Sequence, residues 1–184
     1  MVQMESSLNG PCAECTAKCC KNYVVAITAY DLVRLVDKVD SLDWVDVVKA
    51  TSVEIPLAHR FFLFNEGFPE EYLLCLKRDN AESCIFLGKN NYCGVYNFRP
   101  MTCRVYPFQK GSDGELAYKE KYRCPVSWTL DKHARTQFFE DVEKQKKELE
   151  NYGKWCREWN AKLAPSGNLK MFLEFMISKV KESG

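Results

Sequence analysis

The chain has 184 residues, enough for one domain with its own apolar core and too few for two full ones. Its 26 basic and 25 acidic side chains leave a net charge of +1, which excludes a general electrostatic draw toward nucleic acid. No apolar run approaches the roughly 18 residues of a membrane span, so no membrane insertion is expected.

Residues 1–11 are polar, with neither a cationic start nor an apolar stretch. They predict no signal peptide and a cytoplasmic protein. The cluster CAECTAKCC follows, from Cys12 to Cys20. Tyr23-Val24-Val25-Ala26-Ile27 is β-branched enough for a strand. Thr28 can cap a helix with Asp31 as its capping-box partner, and Leu32, Leu35, Val36 and Val39 keep helical spacing. Ser41 is expected to cap a second short helix carrying Leu42, Val45 and Val48.

In the middle, Arg60 to Phe64 and Tyr72 to Leu76 are strand candidates around the turn-rich NEGFPEE. Residues 79–103 are loop-like. Arg104 to Phe108 and Glu115 to Tyr122 are expected to pair across Gly111-Ser112-Asp113-Gly114. From Thr129 onward, Phe138, Val142, Gln145, Leu149, Tyr152, Cys156, Trp159 and Leu163 recur in steps of four and three, one face of a long amphipathic helix. Ala164-Pro165-Ser166-Gly167 ends it, and a last helix presents Leu169, Phe172, Leu173, Met176 and Val180. The expected architecture is α+β. Residues 1–128 form a cysteine-cluster metal-binding unit, with short strands and loops, and residues 129–184 a helical hairpin packed over it as one compact body.

Ten cysteines carry the chemistry. Eight fall in two groups: Cys12, Cys15, Cys19 and Cys20, then Cys84, Cys93, Cys103 and Cys124. A C-x-x-C turn lets two sulfurs converge on one centre, with backbone amides free to stabilise the thiolates. In a cytoplasmic protein metal ligation is favoured over disulfides. Four and four suit two tetrathiolate sites, but adjacent side chains such as Cys19 and Cys20 point apart, so one centre or two both stand. Cys75, in an apolar strand, and Cys156, on the helical stripe, are expected in the core. His59 and His133 lie away from both groups and are expected to ligate nothing.

The order of these residues resembles the YkgJ-type cysteine-cluster family, a zinc- or iron-chelating domain. The match is carried by CAECTAKCC and by CIFLGKNNYCGVYNFRPMTCRVYP: Cys84, Phe86-Leu87, Cys93, Tyr96, Arg99-Pro100, Cys103 and Arg104, with Cys124 following. It spans roughly residues 12–125 and leaves the C-terminal helices outside. The resemblance implies metal binding, and some members are described as iron–sulfur proteins or oxidoreductases. One branch joins the cluster to a flagellin lysine methylase, but no Gly-rich strand-to-helix loop for a methyl-donor nucleotide occurs here.

An all-cysteine set suits an iron–sulfur cluster or tetrahedral zinc, and the absence of nearby histidine leans toward iron–sulfur, as one or two [4Fe–4S] clusters with zinc the alternative. Arg99 and Arg104 are expected to offset the negative charge of the thiolate centre. Phe86, Tyr92, Tyr96, Phe98, Tyr106 and Trp128 are candidates for an apolar shell. No nucleophile–base pair, phosphate loop or paired acid marks a substrate site. The expected function is an accessory protein in electron transfer or redox or oxygen sensing, docking on a larger protein; Arg60–Phe64 and the following loop are a candidate docking surface but are read first as core. The alternatives are a zinc-stapled interaction module and a metalloenzyme.

Overall fold

A computed structural model describes residues 15–52, 59–119 and 124–184. Cys12, the polar lead-in and residues 120–122 of the expected second hairpin strand lie outside the described residues. The elements in chain order are α1 (Lys18–Asn22), α2 (Ala29–Val39), β1 (Val45–Lys49), β2 (Phe61–Asn65), β3 (Phe68–Leu76), α3 (Met101–Val105), β4 (Phe108–Lys110), β5 (Leu116–Tyr118), α4 (Lys132–Lys162) and α5 (Leu169–Ser183). The fold is α+β.

Strands β1, β3 and β2 form an antiparallel sheet in that order. The β2–β3 turn is only Glu66-Gly67, both at positive φ (51° and 86°), the tight turn whose twist suits a hairpin. Where a helix was expected over 42–48, residues 42–44 turn and the strand β1 begins at Val45. Its apolar positions fit either period, and the β-branched Val45, Val47 and Val48 gain a partner in β3, with Val45 opposite Leu76. The segment 23–27 pairs only in part: Leu76 donates to the Val25 carbonyl, Ile27 donates to that of Leu74, and Ala26 bridges Cys75. It prolongs the edge of β3 beyond the end of β2.

Helix α2 starts as expected, with the Thr28 amide donating to Asp31 Oδ2 at 2.9 Å. The expected strand at Arg104–Phe108 is divided differently. Pro100 caps α3, which carries Cys103 and Arg104, and the strand begins only at Phe108. The β4–β5 hairpin itself turns at Gly111–Gly114, as expected.

The main core lies between the sheet, α2 and the two long helices, and holds Leu32, Leu35, Phe61, Leu74, Trp159 and Phe172. Phe61 stacks on Phe172 with ring centres 3.7 Å apart, and Trp159 meets Phe172 edge-on. Strand β2 is an edge strand, and α4 satisfies its exposed backbone. Trp159 Nε1 donates to the Phe62 carbonyl at 2.9 Å, while Asn160 accepts from the Phe62 amide and donates to the Arg60 carbonyl. Arg60–Phe64 is thus covered by α4, in line with the core reading, while residues 65–69 at the hairpin tip are exposed, Phe68 among them. Cys75 and Cys156 are buried apolar residues, as expected. Among the described residues no helix is long and apolar enough to cross a membrane.

Candidate metal centre

Seven of the eight cysteines singled out by spacing, Cys15, Cys19, Cys20, Cys84, Cys93, Cys103 and Cys124, line one cavity of about 300 Å³. The walls come mainly from residues 15–25 and 84–106, with Leu76, Lys119, Cys124 and Trp128 completing them. Helix α1 supplies Cys19 and Cys20, entered through Ala17 in a left-handed conformation (φ 57°). The Cys84 amide donates to the Cys20 carbonyl at 2.8 Å and joins the two stretches. Short bridges, Arg78 to Cys84 and Leu87 to Cys93, shape the loop between.

Cys103 sits on α3, and two carboxylates far away in sequence hold that helix. The buried Asp31 accepts from the Met101 amide through Oδ1 at 2.9 Å while its other oxygen caps α2. Asp141 on α4 accepts both arms of the Arg104 guanidinium, at 3.0 to 3.3 Å. Arg104 is therefore spent on fixing α3 to α4 and does not line the cavity. Its neighbour in expectation, Arg99, does: the guanidinium lies 3.9 Å from the Tyr96 ring centre and donates to the Tyr96 carbonyl.

The thiols interact across the two sequence groups. Cys19 and Cys20 sulfurs stand 3.9 Å apart. The thiol hydrogen bond from Cys20 pulls Cys19 down to about 7 and pushes Cys20 far up, with Cys103 and Cys84 adding repulsion to Cys20. Burial raises Cys84 to about 11, and raises Cys93 and Cys103, each helped by its neighbours' charge. Arg99 opposes the rise at Cys93. Lys119, on the cavity wall, is lowered by burial and partly restored by facing Cys103. Thiolates gathered this way repel one another, and a bound cation removes that repulsion. Two further donors point at sulfur: the Ala17 amide at Cys15 and the Trp128 indole at Cys124, both at 3.3 Å.

The donor set and its surroundings fit a metal centre. Among the described residues no three His, Cys, Asp or Glu side chains close on a single point, so the sulfurs line a wall rather than grip one ion. No disulfide joins the described cysteines. Phe86, Tyr92, Tyr96, Tyr106 and Trp128 of the expected shell reach the cavity, whereas Phe98 packs into the main core. Tyr23, absent from the expectation, meets Tyr106 edge-on at 5.8 Å. His59 and His133 do not line the cavity. Asp31, Asp141 and Lys119 were the residues that sequence reasoning missed. Only Asp31 left a signal, as a capping partner.

A family model described as "CxxCxxCC: Putative zinc- or iron-chelating domain" matches residues 11–157. The match runs well past residue 125 and takes in most of α4, including Asp141, the residue that anchors α3. No curated protein and no solved structure matches the chain.

Proposed function

This chain belongs to the CxxCxxCC family of zinc- or iron-chelating domains and binds metal, and from that premise we propose that it is an iron–sulfur accessory protein working in electron transfer or redox sensing on a larger protein partner. One observation supports the cluster over a single ion: seven thiols surround a space of about 300 Å³. A closed zinc site needs four sulfurs at about 2.3 Å from one point and no enclosed volume.

Cys19, Cys20, Cys84, Cys93 and Cys103, the thiols that influence one another, are the inner donors, with Cys15 and Cys124 beside them. This set draws on both sequence groups. A bound cluster supplies one-electron exchange. The chain's own contribution is charge and dryness. Arg99 and Lys119 offset thiolate charge from the wall, while Tyr23, Phe86, Tyr106 and Trp128 keep water from the sulfurs. Ala17 N–H and Trp128 Nε1–H stabilise sulfur charge directly.

The test is metal and acid-labile sulfide content, with an absorption spectrum, on protein purified without oxygen. Iron and sulfide in equal amounts are expected, with a broad band near ~400 nm that bleaches on reduction. Stoichiometric zinc without sulfide would end the redox reading and leave a metal-stapled interaction module.

A further inference from the structure

Two of the segments that wall the cavity share a charge pattern that the metal centre alone does not account for. Residues 15–25 and 84–106 contain Lys18, Lys21, Lys89, Arg99 and Arg104 and not one carboxylate, in a chain whose charges otherwise nearly cancel. Arg104 is neutralised by Asp141, and Arg99 lies on the cavity wall. The three lysines are exposed.

They are also adjacent. Lys18 and Lys21 stand three positions apart on α1, hence on one side of it. Lys21 Nζ donates to Asn91 Oδ1 at 2.8 Å, which draws α1 onto the turn closed by the Gly88 amide and the Tyr92 carbonyl. Lys89 lies in that turn. Tyr92, 45% exposed, and Ile85, 41% exposed, place apolar surface beside the lysines, and Tyr92 itself lines the cavity. Glu14, next to Cys15, lies outside the described residues, and Asp79 and Glu82 lie in the turn that precedes Cys84. There Glu82 pairs with Arg78 and Asp79 accepts the Ala81 and Ser83 amides.

We propose that this lip, Lys18, Lys21 and Lys89 around Ile85 and Tyr92, is the docking face for an acidic protein surface. This deepens the accessory reading above and rests on it: the partner engages at the mouth of the metal cavity, not at the β2–β3 hairpin. Apolar side chains bordered by like charges are how proteins select and steer an oppositely charged protein. A nucleic-acid backbone would call for a longer basic track than three lysines.

The experiment uses the full, metal-loaded chain and a fluorescent random copolymer of glutamate and tyrosine, read by anisotropy at low and at physiological ionic strength. Salt-weakened binding is expected. The double variant Lys18→Glu/Lys89→Glu should bind about tenfold more weakly, and Lys18→Gln/Lys89→Gln less severely so. Lys170→Glu/Lys181→Glu on α5 should change nothing. Absence of copolymer binding, equal weakening in the α5 control, or tighter binding of a single-stranded oligonucleotide would each overturn the docking face. Metal and sulfide are assayed on the same samples. Zinc-loaded protein that still binds the copolymer at the lip would sink the redox reading alone, and an iron–sulfur protein indifferent to the copolymer would sink the docking face alone.

Discussion

Around Trp159 and Phe172 the chain is held by long regular elements and ring-on-ring contact, whereas around Cys20 and Cys103 it is held by five-residue helices, single bridges and a few amide bonds. Each region contains buried thiols, yet they are opposite in kind. Cys156 has apolar neighbours and a distant carbonyl contact at His59, while Cys19, Cys20, Cys84, Cys93 and Cys103 line one cavity. A hydrophobic core can stand without outside help. A set of cavity-lining thiols held by short turns needs a cation to be worth closing, because burial and mutual repulsion both act against their charged form.

The sharpest way to break this contrast is to remove the metal. Cys103→Ser is expected to abolish stoichiometric metal binding, and the free energy lost with a structural metal is on the order of 10 kcal/mol. Hydrogen exchange should then show residues 84–106 deprotected while β2, β3 and α4 keep their protection. Loss of protection in α4 at the same point would mean that the two regions are one cooperative unit.

A smaller effect is expected from the other side. Phe172→Ala empties a site between Phe61 and Trp159 and should cost about 3–5 kcal/mol in denaturant unfolding. Metal content per folded molecule should stay at the wild-type value, and a drop in it would show that the core sets the cavity's shape.

The third separates the two kinds of thiol by pH. Burial pushes Cys156 up to about 12, with Tyr152 and Arg157 pulling it partly back. The unfolded chain releases that proton at a lower pH than the folded one. Stability from this group is therefore complete below the ordinary thiol range and is lost as pH rises toward 12, at about 1.4 kcal/mol per pH unit. Cys156→Ala should flatten the alkaline slope by about that amount. An unchanged slope would place alkaline sensitivity elsewhere, in the cavity or in Tyr152.

How much of this was readable in advance differs between the regions too. The long helix was legible because its stripe extends over many turns, and Val142, Tyr152, Cys156 and Trp159 of that stripe are buried in α4. The α2 cap was legible in Thr28 and Asp31, since both halves of a capping box are local. The cavity-lining cysteines were legible as a set, because residue type and spacing suffice to mark them. Their arrangement was not. Cys20 meets Cys84 through pairing across more than sixty positions, and nothing in either segment announces the other. Helix α3 was hidden for the same reason: five residues carry no periodicity, and its anchors are Asp31 and Asp141, 70 residues before Met101 and 37 after Arg104. Both Arg99 and Arg104 were expected beside the thiolates; Arg99 lines the cavity, whereas Arg104 pairs with Asp141, a contact no local pattern signals. The β1 segment illustrates the remaining ambiguity, since Val45 and Val48 suit both periods until β3 is there to pair with.

The wide separation of the cavity walls also bears on how the protein comes to hold its metal. A ribosome delivers Cys15, Cys19 and Cys20 early, but the opposite wall is finished only at Cys124, and the clamp on Cys103 waits for Asp141. On the proposed ligand set the CAECTAKCC segment alone does not make the site, because its opposite wall and the clamp on Cys103 come from residues more than sixty positions further along.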